Sequence, residues 1–122
     1  MFDYRSMFDL NGKSALVVGA GSGIGEASSH GLAAFGARIV CADVNAEAAE
    51  NTVGEIRSEG GKAEALLLDM TDLQSVGAAV EHLGTPDVLV CTPSVNVRKP
   101  VLEITDEEFD RVIGLNLKGL FV

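Results

Sequence analysis

The chain has 122 residues, 47% of them hydrophobic, and a formal net charge of -9 at pH 7. That is one domain's length with ample apolar material for a core. The acidic balance argues against nucleic acid and anionic membrane surfaces as partners, since both select for clustered Lys and Arg. No apolar run is long enough to span a membrane, and the first residues lack the apolar core of a signal peptide, so a cytoplasmic protein is expected.

In chain order, residues 1–13 read as an arm with a turn at Asn11-Gly12. Residues 14–18 form a continuous apolar run of the buried parallel-strand kind. The stretch Gly19-Ala20-Gly21-Ser22-Gly23-Ile24-Gly25 follows. Ile24, Ala27, Ser28, Gly31, Leu32 and Phe35 then recur at helical spacing, and Gly36 closes that helix. Residues 38–42 read as a second strand ending at Asp43, and Asn45 as the N-cap of a helix over 46–59. A third strand over 64–68 ends at Asp69. Thr71 or Asp72 then caps a helix bearing Leu73, Val76, Val80 and Leu83. A fourth strand covers 87–90, and a loop with Pro93 and Pro100 runs from Cys91 to Pro100. Thr105-Asp106-Glu107-Glu108 is a capping box. The helix it opens carries Phe109, Val112, Ile113, Leu117, Leu120 and Phe121 on one stripe, with Asn116 inside it.

Strands alternating with helices predict an α/β fold, a doubly wound parallel sheet of about four strands in the order 3-2-1-4. Ligands of such sheets bind at the carboxyl ends of the strands, where strand order reverses. That places a crevice between strands 1 and 4. Cys41 and Cys91 then lie on strands separated by strand 1, too far apart to bond, and read as core thiols in a reducing compartment.

The glycine turn carries the strongest chemical signal. Glycine between a strand and a helix lets backbone turn tightly and lets a ligand approach it. The helix start adds free N–H groups and the positive end of its dipole, which together make a phosphate site. Asp43, ending the second strand, is placed to accept hydrogen bonds from both hydroxyls of an adenosine ribose. It would repel a 2′-phosphate, and neither Ser22, Val44 nor Asn45 is cationic, so NAD is expected over NADP. Asp69 and Met70 are candidates for the adenine edge, although an aspartate closing a strand is also an ordinary turn residue. Asn116 on a buried face would brace the core, disturb the helix or hold a water for proton transfer, with bracing favoured from the residues alone. His30 and His82 read as surface residues, and Arg98 and Lys99 as a solvated loop.

With these residues in place, the chain resembles the cofactor-binding N-terminal half of the short-chain dehydrogenase/reductase family. Val18 to Gly25 is similar to the family's T-G-x-x-x-G-I-G turn, Asp43 to its NAD-selecting acidic position, and Asp69-Met70 to its adenine-contacting pair. Leu115-Asn116-Leu117-Lys118-Gly119 is similar to the segment around its catalytic asparagine. The resemblance implies a Rossmann-type three-layer sheet and hydride transfer between a nicotinamide cofactor and an alcohol or ketone. Gly19, Ser22, Gly23, Ile24, Gly25, Asp43, Asp69, Met70, Cys91 and Pro93 would bind the cofactor, and Asn116 would hold a water in the proton relay. Where the family has N-N-A-G, this chain reads Cys91-Thr92-Pro93-Ser94, and Val18 stands for the usual threonine.

The family's serine and its Tyr-x-x-x-Lys pair do not occur in the 122 residues, whose one tyrosine is Tyr4. Two readings follow. One is a dinucleotide-binding domain over 1–122, truncated within its fourth helix and acting on a small alcohol or ketone only when a C-terminal half completes it. The other is a binding module without turnover that works by association or sensing. Either is expected to form homo-oligomers or associate through the open edge of strand 4 and the last helix.

Overall fold

A computed structural model describes residues 1–122. Four strands form one sheet: β1 (Ser14–Val18), β2 (Arg38–Asp43), β3 (Lys62–Leu67) and β4 (Val88–Cys91). They are all parallel, in the order β3-β2-β1-β4. Val17 sits between Cys41 and Val90, and Leu16 between Val40 and Leu89. The sheet matches the order expected from the alternation of elements.

Side chains alternate across the sheet, so each strand feeds two cores. Ala15, Val17, Ile39, Cys41 and Ala63 pack beneath helices α1 (Gly23–Ala34) and α2 (Ala46–Ser58), which contribute Leu32, Val53 and Ile56. On the opposite face Val18, Ala42, Leu68 and Met70 pack with Ala79 of helix α3 (Leu73–Leu83) and with Leu115. Three layers result, with helices on both faces. No helix is long and apolar enough to cross a membrane.

The helix starts follow their capping residues. The Asn45 side chain accepts from the Ala48 N–H at 3.1 Å, and Asp72 from Gln74 at 2.9 Å, so Asp72 and not Thr71 caps α3. Thr105 and Glu108 form the expected reciprocal box at the start of helix α4 (Asp106–Ile113). Cys41 and Cys91 are both free thiols on strands flanking β1.

The end of the chain departs from the expected single stripe. A π-turn over Gly114–Lys118 follows α4 and leads into a short helix, α5 (Gly119–Phe121). Bonds that reach five residues back widen the turn and rotate everything after it. Leu115 and Gly119 therefore face inward, while Leu117, Leu120 and Phe121 are exposed. Asn116 is likewise exposed rather than on a buried stripe.

Candidate active site

The carboxyl ends of β1, β2 and β4 and the segment after β3 border a cleft of about 510 Å³. Its first wall is the glycine turn. Gly19 and Ala20 donate backbone hydrogen bonds to the Ala42 carbonyl at 2.8 and 3.1 Å, which fixes the turn on the end of β2. The Thr52 hydroxyl, buried on α2, donates to the Ala20 carbonyl at 2.9 Å.

The four glycines serve different needs. Gly19 and Gly23 have φ of +83° and +58°, a region where a side chain is strained. Gly21 and Gly25 are required for space. A Cβ on Gly21 would lie 2.6 Å from the Ala48 Cβ, and one on Gly25 would lie 2.0 Å from the Gly19 carbonyl oxygen. Helix α1 can therefore start directly on the turn. The N–H groups of Ser22, Gly23, Ile24 and Gly25 have no acceptor within the protein. Ser22 caps α1 through backbone conformation alone, with no side-chain bond. Together these make a row of donors at a helix N-terminus, the arrangement that receives a diphosphate.

Asp43 ends β2 and is held at two points. Its Oδ2 accepts from the Gly21 N–H and its Oδ1 from the Asn45 N–H, each at 2.9 Å. A carboxylate has about four lone-pair sites, so each oxygen keeps one for a ligand. Asp69 also borders the cleft. Its Oδ1 accepts from the Thr71 N–H at 2.8 Å and the Thr71 hydroxyl at 2.7 Å, while its own N–H donates to Ser75 Oγ at 3.0 Å. The Thr71 hydroxyl first and the Thr71 amide second hold its carboxyl below the ordinary value of 3.8. It is an ordinary turn aspartate whose second oxygen remains open.

Of the residues expected to bind cofactor, Gly19, Ser22, Gly23, Ile24, Asp43, Asp69, Met70 and Pro93 line the cleft together. Gly25 lies behind it, beneath the Gly19 carbonyl. Cys91 is turned away: its Sγ approaches Met70 Sδ at 3.4 Å, and burial pushes its thiol pKa up. Asn116 clamps the loop after β4, its amide donating to the Val95 carbonyl at 2.8 Å and accepting from the Val95 N–H at 2.9 Å. That two-point grip holds the loop carrying Pro93 and Ser94, which reach the cleft.

Thr92 was not singled out by its sequence context, and it proves central. Both its N–H and its hydroxyl donate to the Val18 carbonyl, at 3.1 and 3.0 Å. The hydroxyl fills the space that a Cβ on Gly19 would need. It thus stitches β4 to β1 at the crevice, where Val18 offers no hydroxyl. Its advance signals were a threonine opening a loop after an apolar strand and its place in the stretch that stands for the family's N-N-A-G. Thr52, a polar residue on the inner face of α2, had a clearer one. Arg98 lies in the loop as expected, and Lys99 pairs with Glu108.

The family model for short chain dehydrogenases matches residues 13–122. Over 122 aligned residues the chain is 36% identical to 5-keto-D-gluconate 5-reductase of Escherichia coli, covering 97% of this chain and 48% of that protein. It is 40% identical to sorbitol dehydrogenase of Cereibacter sphaeroides over 114 residues, covering 90% and 43%. Among solved structures, a gluconate 5-dehydrogenase from Burkholderia cenocepacia in complex with NADP and tartrate superposes with a TM-score of 0.90 at 32% identity, covering 98% and 48%. The chain spans about half the length of the curated relatives it matches.

Proposed function

The chain belongs to the short chain dehydrogenase family, and from that premise we propose that it is the dinucleotide-binding part of an oxidoreductase acting on an alcohol or ketone. The residues fit a nicotinamide dinucleotide. The free N–H groups of Ser22, Gly23 and Ile24 receive the diphosphate. Asp43 receives the adenosine ribose, and the segment Leu68 to Thr71 borders the adenine. The bound nicotinamide supplies the hydride donor or acceptor. Asn116, by gripping Val95, keeps the loop after β4 at the nicotinamide end, and the relay role assigned to it rests on the resemblance of residues 115–119 to the family's asparagine segment.

NAD is the preferred form in this reading. The observation that carries it is the Asp43 carboxylate, fixed at the cleft by Gly21 and Asn45 with lone pairs to spare. A 2′-phosphate would meet that charge with no cation beside it, since Val44 and Asn45 are neutral. The Burkholderia gluconate 5-dehydrogenase was solved with NADP, so the preference rests on this chain's own carboxylate.

These residues bring no tyrosine to the cleft, for Tyr4 stands in the exposed N-terminal arm, and this reading gives its carboxylates, Asp43 and Asp69, to the ribose and adenine rather than to acid–base work. Turnover in this reading draws the acid–base group from further polypeptide packed beside β4, where Leu89 is 60% exposed. Without it the chain binds dinucleotide and does not turn over. NADH fluorescence titration tests the core of the proposal. NADH is expected to bind more tightly than NADPH. Asp43→Ala is expected to weaken NADH by about tenfold or more, the cost of lost hydrogen bonds to a charged acceptor, and to narrow the gap. No binding of either at millimolar concentration overturns the dinucleotide reading. Unchanged affinities in the variant overturn the role of Asp43.

A further inference from the structure

Where α1 and α2 run side by side, four titratable side chains meet, none of them lining the cleft. Glu26 and His30 are four residues apart on α1, and Glu55 and Glu59 four apart on α2, so each pair shares one face of its helix. The ligand atoms of Glu26, His30 and Glu55 all lie within 4.8 Å of one another. His30 Nε2 is 3.2 Å from Glu55 Oε2, and His30 Nδ1 is 3.4 Å from Glu59 Oε2.

We propose that Glu26, His30 Nε2 and Glu55 bind a divalent transition cation of the zinc class, with Glu59 orienting the imidazole. Three observations meet here. First, one separation fits and the others are within side-chain reach: two ligands about 2.1 Å from a tetrahedral ion lie about 3.4 Å apart, close to the His30–Glu55 spacing of 3.2 Å, and the Glu26 ligand atom lies within 4.8 Å of both. Second, both nitrogens of His30 face carboxylate oxygens, which aims the ring between Glu55 and Glu59, and a neutral tautomer offers a lone pair on one of them. If Nδ1–H donates to Glu59, the Nε2 lone pair points at negative charge, and a cation turns that repulsion into two bonds. This is also the carboxylate–histidine–metal arrangement that fixes a tautomer and raises ligand basicity. Third, the charge is uncompensated. Three carboxylates surround one imidazole, and the Lys and Arg ion pairs of the chain are all made elsewhere.

One imidazole with carboxylates suits zinc or cobalt rather than calcium or magnesium, which take oxygen alone. His30 is only 25% exposed, whereas Glu55 is 60% exposed, which leaves an entry path and a position for water. The ion would join α1 to α2. Glu26 directly follows Gly25, and Ala48 and Thr52 of α2 touch the glycine turn. A bridge between the helices therefore braces the turn from behind.

The test is titration of the metal-free 122-residue chain with Zn2+ against a chromogenic chelator, with Co2+ absorbance as a second readout. One equivalent is expected, with a dissociation constant on the order of micromolar and a raised melting temperature. His30→Ala and Glu55→Gln, on different helices, should each weaken binding by more than about tenfold, and Glu59→Gln by about tenfold. Cys91→Ser should bind as the parent does. Circular dichroism of each metal-free variant checks that the fold is kept. No uptake of either metal overturns the proposal and leaves the cluster a pair of His–Glu salt bridges. Binding that survives both His30→Ala and Glu55→Gln, or that vanishes in Cys91→Ser, overturns it as well.

Discussion

The two sides of the crevice are built to different tolerances. On the β2 side, the glycine turn, Asp43 and the start of α2 are locked together. Four consecutive residues of β2 are buried, and Thr52 and Ser29 bury their hydroxyls on backbone carbonyls. On the β4 side, no residue of β4 is fully buried, α3 buries only Ala79, and α4 buries none. The lesson is that the wall of the cleft proposed for the diphosphate and ribose is closely packed within these residues. The end where a nicotinamide would lie rests on elements whose apolar faces are still open to solvent. Positioning of charge on the first side comes from close packing. On the second it comes from a few hydrogen bonds, those of Thr92 and Asn116.

Substitutions can break this contrast, beginning with the largest expected effect. Gly25→Ala puts a methyl against the Gly19 carbonyl, from which a Cβ would be 2.0 Å away. Helix and turn must part, at a cost of about 3 kcal/mol, read as a melting-temperature drop on the order of 10 °C together with loss of NADH binding. A variant as stable as the parent would refute the close packing of this side. Thr92→Val keeps the shape and removes the hydroxyl bond to Val18. A loss of about 1 kcal/mol is expected in urea unfolding, with weaker NADH affinity because the seam between β1 and β4 loosens.

The acid limb of stability gives a smaller effect on the open side. A carboxylate whose folded pKa is depressed stabilises the fold above its unfolded value and ceases to do so as pH falls through the folded one. Asp69 is held low by Thr71, and Asp87 by the Ser14 amide foremost. Their contribution is present above about pH 4 and fades below it. Asp69→Asn should lower the melting temperature slightly at neutral pH, change it little well below that pH, and so flatten the acid limb. An unaltered acid limb would show that the Thr71 bonds stabilise nothing. The smallest effect is expected for Leu89→Lys, on the outer edge of β4. Its stability should stay within about 0.5 kcal/mol of the parent, while sedimentation should show less self-association, since a charge blunts a bare strand edge.

Element order, strand order and the site's first wall were legible in the chain itself. Apolar runs followed by glycine or aspartate, and helical spacing closed by Gly36 and Gly84, depend on residues near one another in sequence. Local steric and hydrogen-bonding rules suffice to read them. The partners of the site were not legible. Asp43 with Gly21, Thr52 with Ala20 and Thr92 with Val18 join residues 22, 32 and 74 positions apart. Such pairings exist only once the sheet sets strand ends side by side. The π-turn at Gly114–Lys118 shows the same limit at short range. A regular periodicity placed Asn116 inward, and packing of Leu115 and Gly119 against the sheet turned it outward onto Val95. The sequence by itself determined which chemical groups stand at the strand ends, because backbone geometry dictates where strands stop. Only tertiary packing decided which of them face the cleft, because facing is a property of contacts between distant segments.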